Sequence, residues 1–78
     1  MTAAYIMIKS SPGAENDVFS KINKISGIKS VHTITGPWDL IAYVEAENLD
    51  MLGKTVTSRI QNLKGITVTM TCVVVNPI

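Results

Sequence analysis

Apolar positions along this chain switch between two spacings, and the switches mark its elements. Ala3 to Lys9 (AAYIMIK) is an almost unbroken apolar run closed by Ser10-Ser11-Pro12-Gly13, the pattern of a strand buried on both faces. After the Pro-Gly break, Ala14, Val18, Ile22 and Ile25 recur at helical spacing. Glu15 and Asp17 near the start and Lys21 and Lys24 near the end suit the helix dipole, and Gly27 is expected to stop the helix. Ile28 to Thr35 (IKSVHTIT) is rich in β-formers, Asp39 to Glu45 (DLIAYVE) reads as a further strand, and the residues between them make a tight hairpin. Asn48 is placed to cap a second helix with Leu49, Leu52, Val56 and Ile60 in one apolar stripe. Gly65 ends the connection, Ile66 to Val75 (ITVTMTCVVV) is the last strand, and Asn76-Pro77 closes the chain.

The order strand, helix, strand, strand, helix, strand implies interlocked right-handed β-α-β crossovers. That predicts an α+β ferredoxin-like sandwich, a four-stranded antiparallel sheet with both helices on one face. No linker or low-complexity segment interrupts it, so residues 1–78 read as a single domain. Strict alternation then assigns faces. Val68, Met70, Cys72 and Val74 are expected against the helices, with Thr67, Thr69, Thr71, Val73 and Val75 opposite. Leu40, Ala42 and Val44 also go inward, leaving Asp39, Ile41, Tyr43 and Glu45 on the bare side. The first strand adds either Tyr5 and Met7 or Ala4, Ile6 and Ile8 to that side. A bare face of this composition marks an interface. Sheet-to-sheet homodimerisation, of the dimeric α/β-barrel type, is the expectation.

Length points the same way, because so short a chain buries only roughly 60% of its unfolded surface and often leans on other support. A single cysteine, Cys72, excludes an internal disulfide, and with the single His32 it cannot fill a tetrahedral zinc shell. A partner chain is what remains. Net charge is +1 with 17% charged residues, and the Lys and Arg are scattered, where a nucleic-acid binder shows a basic stripe. No run approaches the length of about 18 apolar residues that spans a membrane, and no charged segment precedes an apolar core near Met1. A soluble cytoplasmic protein without membrane contact is expected.

No phosphate-binding glycine loop, C-x-x-C or H-E-x-x-H motif occurs. His32 reads as a surface or packing residue and Cys72, by its alternation, as a buried structural thiol. No catalytic residue, metal or cofactor is predicted. The hairpin Ile34 to Leu40 (ITGPWDL) stands apart, since it carries the only tryptophan, Trp38, and a solitary carboxylate, Asp39. One reading is a plain type I turn, with Pro37 at its second position and Asp39 a local hydrogen-bond acceptor. The other is a stiff loop offering a free amide, an aromatic wall and an anion to a ligand that carries an ammonium group. Thr69 and Thr71, assigned to Asp39's face, could add hydroxyls, or they simply favour β structure.

Topology and loop together resemble the effector domain of the Lrp/AsnC family, also called RAM for regulation of amino acid metabolism. The resemblance covers essentially the whole chain. It rests on a G-x-x-D hairpin, Gly36-Pro37-Trp38-Asp39, and on the threonine-bearing last strand Val68-Thr69-Met70-Thr71-Cys72. The resemblance implies domains that pair through their sheets and assemble further, often as four dimers in an octameric ring. It implies a small effector, usually an amino acid, held near the loop by Gly36, Trp38 and Asp39, with Thr69 and Thr71 as further candidates. Full-length members carry an N-terminal helix-turn-helix domain, whereas this chain opens directly on its first strand. The resemblance is thus to the stand-alone form, which implies amino-acid sensing or modulation of a full-length relative in transcriptional or metabolic regulation.

Rival classes share the topology. A dimeric α/β-barrel enzyme needs an acid, base or cofactor ligand, for which only His32, Tyr43 and Glu45 are on offer. An RNA-binding sheet needs exposed aromatics and basic residues. An ACT-like amino-acid module is the nearest functional neighbour and pairs edge to edge. With a net charge of +1 and no basic stripe, these 78 residues are expected not to bind duplex DNA at physiological salt. Sub-micromolar binding to a defined site in a mobility-shift assay would contradict this.

Overall fold

The computed structural model describes residues 1–76. Its elements are β1 (Thr2–Ser10), α1 (Glu15–Asn23), β2 (Ile28–Thr33), β3 (Leu40–Ala46), α2 (Leu49–Lys54) running into a π-helical segment (Thr55–Ile60), and β4 (Ile66–Val73). Pro77 of the expected closing turn lies outside the described residues. The strands form one four-stranded antiparallel sheet in the order β2-β3-β1-β4, the ferredoxin-like arrangement.

Ala4, Ile6 and Ile8 on β1 and Leu40, Ala42 and Val44 on β3 are fully buried and meet Val18 and Ile22 of α1 and Leu52, Val56 and Ile60 of the second helical stretch. Burying an Ile or Leu side chain contributes about 1.5–3 kcal/mol, so this single row of contacts dominates the fold. β1 is not buried on both faces as its apolar run suggests. Its outward row holds a half-buried Met7 and a Tyr5 that is 45% exposed, because both helices lie on the other side.

Each helix departs from expectation in one respect. α1 ends at Asn23, before Gly27, with the Lys24 and Ile25 amides donating to the carbonyls of Lys21 and Ile22 in a tightened last turn. Gly27, at φ +96°, makes the return into β2. Its carbonyl accepts the Glu45 amide at 2.9 Å, and a Cβ there would stand 3.1 Å from the Glu45 carbonyl oxygen. α2 is capped as expected, with the Met51 amide donating to Asn48 Oδ1 at 2.9 Å. Leu49, however, is 61% exposed and lies off the buried stripe. Leu52, Val56 and Ile60 recur every four residues, more than the 3.6 of an α-helix. The wide turn, with Gln61 N–H bonded to the Val56 carbonyl at 2.9 Å, takes up that difference and keeps all of them inward. Leu49, the first residue of α2, stays outside that buried row.

The largest correction concerns β4. Ile6 pairs with Thr71, Ile8 with Thr69 and Ala4 with Val73, so Thr69, Thr71 and Val73 are on the helix side. Val68, Met70 and Cys72 pair with Lys9, Met7 and Tyr5 and face the bare side. The cause is a bulge. Ser10 pairs with Ile66 and Lys9 with Val68, leaving Thr67 as an extra residue that reverses the alternation beyond it. Ile66 packs on the core, as its spacing suggests, but the residues after it are flipped. Cys72 is accordingly exposed, not a buried thiol.

Gly65, at φ +99°, turns the chain into β4, and its carbonyl accepts the Ser11 amide at 2.7 Å. A Cβ there would lie 3.2 Å from Ala14 Cβ and Val18 Cγ2. Gly65→Ala is expected to lower stability by about 1–3 kcal/mol, read as a lower urea midpoint with unchanged slope.

Candidate functional site

The hairpin between β2 and β3 is closed by the Ile34 amide donating to the Asp39 carbonyl at 2.9 Å. The Asp39 amide donates to the Ile8 carbonyl at 2.9 Å, so no hydrogen bond from it to the Gly36 carbonyl closes a turn around Pro37-Trp38. Gly36 takes φ +145° with open space around its Cα, and Pro37 lacks an amide hydrogen. Among the described residues the amides of Thr35, Gly36 and Trp38 find no acceptor.

Asp39 is the hinge between loop and sheet. Its Oδ2 accepts the Ser10 amide at 2.9 Å and lies 3.5 Å from Ser10 Oγ, in a half-buried setting. β1 extends past the start of β3, so the Ser10 amide has no backbone partner there, and the carboxylate stands in for the missing carbonyl. Oδ1 takes no hydrogen bond from the described residues. Trp38 is half-buried, with Lys9 Nζ 5.6 Å from its ring centroid.

Gly36, Trp38 and Asp39 therefore form one group, but Thr69 and Thr71 are not brought to it. β1 separates them from β3, and they face the helix side while Asp39 heads the opposite row. Thr69 Oγ1 instead accepts from Gln61 Nε2 at 3.1 Å, on an open concavity of about 360 Å³ lined by Gln61, Ile66, Thr67, Val68 and Thr69. Sequence reasoning passed over Ser10 and Lys9. Lys9, the lone charge ending an apolar run, was the available signal.

The bare sheet face carries Tyr5, Met7, Ile41, Tyr43, Val68, Met70 and Cys72, with His32 beside Ile41 at its edge. The Tyr5 and Tyr43 rings pack in a tilted pair in its middle, centroids 4.9 Å apart and planes at 49°. The Tyr43 phenol is held above its ordinary value of 10.0, by lost hydration first and then by the negative charge of Glu45 two residues on. Among the described residues no cluster of three or more His, Cys, Asp or Glu could hold a metal ion, and no helix is long and apolar enough to cross a membrane.

The sequence model of the Lrp/AsnC ligand binding domain matches residues 3–78. The chain belongs to this family. Over 75 residues it is 33% identical to an uncharacterised helix-turn-helix-type transcriptional regulator of Pyrococcus furiosus, covering 92% of this chain and 50% of that protein. The Lrp/AsnC domain described here thus spans half the length of that relative. A solved protein of Thermus thermophilus superposes with a TM-score of 0.94 at 26% identity, covering 100% of this chain and 98% of that one. A Neisseria meningitidis transcriptional regulator, solved as its L-Met complex, superposes with a TM-score of 0.87 over 99% of this chain and 51% of that one. At 15% identity the last likeness is one of fold alone. The Lrp/AsnC match identifies a regulatory effector domain and points away from an enzyme.

Asp39→Ala leaves the Ser10 amide without its acceptor and is expected to cost about 1–3 kcal/mol. For a chain this short each kcal/mol lowers the melting temperature by about 4–8 °C. Asp39→Asn keeps an acceptor oxygen and should retain most of the stability, as calorimetry of the two variants would read directly.

Proposed function

We propose that this Lrp/AsnC domain, residues 1–78 acting as one unit, senses an amino acid at the Gly36–Asp39 hairpin and self-associates through its bare sheet face, in the service of transcriptional or metabolic regulation. The observation that carries the effector half is the hairpin itself. Its amides and Trp38 are displayed at the end of a sheet to which Asp39 fastens them, a site held in shape before a ligand arrives. The match to the Lrp/AsnC ligand binding domain supports a ligand, and the fold neighbour solved as its L-Met complex makes an amino acid the first class to test. Thr69 and Thr71 join such a site only from a neighbouring subunit, since within one chain they lie across β1 on the other face.

The assembly half follows from the exposed apolar residues of the bare face, which a second copy covers with like residues. A specific dimer buries roughly 1,200 Å² or more in total. Dimers then associate further, toward a ring, and the same face suits the corresponding domain of a full-length Lrp/AsnC regulator.

A thermal-shift screen against the twenty amino acids, run beside light scattering, tests both halves. At a hundredfold excess over Kd the effector stabilises the folded state by about 2.7 kcal/mol, a melting shift on the order of ten degrees. Scattering should report a dimer or larger at micromolar concentration, and Ile41→Glu or Met70→Glu should yield monomer or unfolded chain. No shift with any amino acid sinks the effector reading, and a stable monomer sinks the assembly reading.

A further inference from the structure

Charge at the hairpin is distributed differently from what the sequence suggests. Asp39 has committed Oδ2 to the Ser10 amide, so its carboxylate already serves the fold. Lys9 has made no such commitment. It is exposed, and among the described residues the ion pairs are Asp17–Lys21 and Asp50–Lys54, so its ammonium has no carboxylate partner. Its position is nevertheless defined. The Lys9 backbone is held at the bulge by Thr67 Oγ1 donating to its carbonyl at 3.2 Å, and its Nζ is held 5.6 Å from the Trp38 ring centroid. In the same hairpin as that ring, the amides of Gly36 and Trp38 have no acceptor among the described residues. A cation and unpaired N–H donors at one loop make a setting for an anion, and a carboxylate is the anion that an amino acid brings.

We infer that Lys9 is the carboxylate-binding residue of the effector site, acting with the free amides of Gly36 and Trp38; this rests on the effector reading proposed above. The ligand's carboxylate meets Lys9 and the loop amides, its side chain lies along Trp38, and its ammonium is left to Asp39 Oδ1, which takes no hydrogen bond from the described residues. The site therefore demands an acid and rejects the matching amide. Because Lys9 is exposed, affinity falls as salt is raised.

The test compares each of the twenty L-amino acids with its primary carboxamide, by thermal shift and then by calorimetric titration of those that respond. The acid is expected to bind and its amide to bind at least tenfold more weakly. Lys9→Met should raise the Kd of the acid by about ten- to a hundredfold, the loss of one charge-assisted hydrogen bond, and bring acid and amide level. Lys9→Arg should keep the preference for the acid. The melting temperature of each variant without ligand reports its fold. Should Lys9→Met fail to fold, the comparison on the unsubstituted chain still decides. Equal binding of acid and amide, or a preference for the acid that survives Lys9→Met, overturns the role of Lys9 and leaves the effector reading standing. Absence of any response to acids and amides alike overturns both.

Discussion

Ala4, Ile6 and Ile8 form a row along the middle of the sheet, and every other element takes its place from them. β1 pairs with β3 on one side and β4 on the other, so its inward row sets which side of three strands meets the helices. The row is fully buried under residues of α1 and the second helical stretch, and a slip by one residue would exchange it for Tyr5, Met7 and Lys9. That exchange would set a lysine and a tyrosine hydroxyl in the core without partners. Register at β1 is therefore steeply determined, and the composition of the bare face follows from it.

While a register shift between Ile28 and Ser30 of β2 marks one end of the sheet, several irregular features gather at the opposite end, where β1 outruns β3. At that end Ser10 borrows the Asp39 carboxylate on one side, Thr67 bulges out of β4 on the other, and Gly65 takes the Ser11 amide. Each device satisfies a backbone group that the regular ladder leaves unpaired. Together they tie the β2–β3 hairpin, the approach to α1 and the start of β4 into one rim. The family's G-x-x-D hairpin stands on that rim, so what keeps the hairpin in shape also ends the sheet. The bare face that runs back from this rim is broad and apolar, with the tilted pair of tyrosines in its middle.

Much of this was legible in the residues. The order of elements follows from the change of apolar spacing at Pro12-Gly13, Gly27, Asn48 and Gly65, since a helix and a strand expose different periodicities to the same core. Asn48 capped the helix it preceded, and the Leu40, Ala42, Val44 row went inward as its alternation demands. The hairpin was conspicuous because Gly36-Pro37-Trp38-Asp39 places special backbone beside the only tryptophan. Leu49 has the spacing of the apolar stripe but is the first residue of α2 and stays exposed, and nothing in the sequence announces the π turn that follows.

Local sequence by itself determined which segments are strands and helices, their order, and the inward rows of α1 and β3, because periodicity, caps and turn residues act over a few positions. Tertiary structure decided the rest through contacts between segments far apart in the chain. Whether Thr69 or Met70 faces the helices depends on one extra residue in β4 opposite β1, about sixty positions earlier, and neither strand records it alone. Likewise, Asp39 looks free in sequence and is bound in space, while Lys9 looks incidental and lies against Trp38, 29 positions on. Alternation is a local property, but register belongs to a pair of strands.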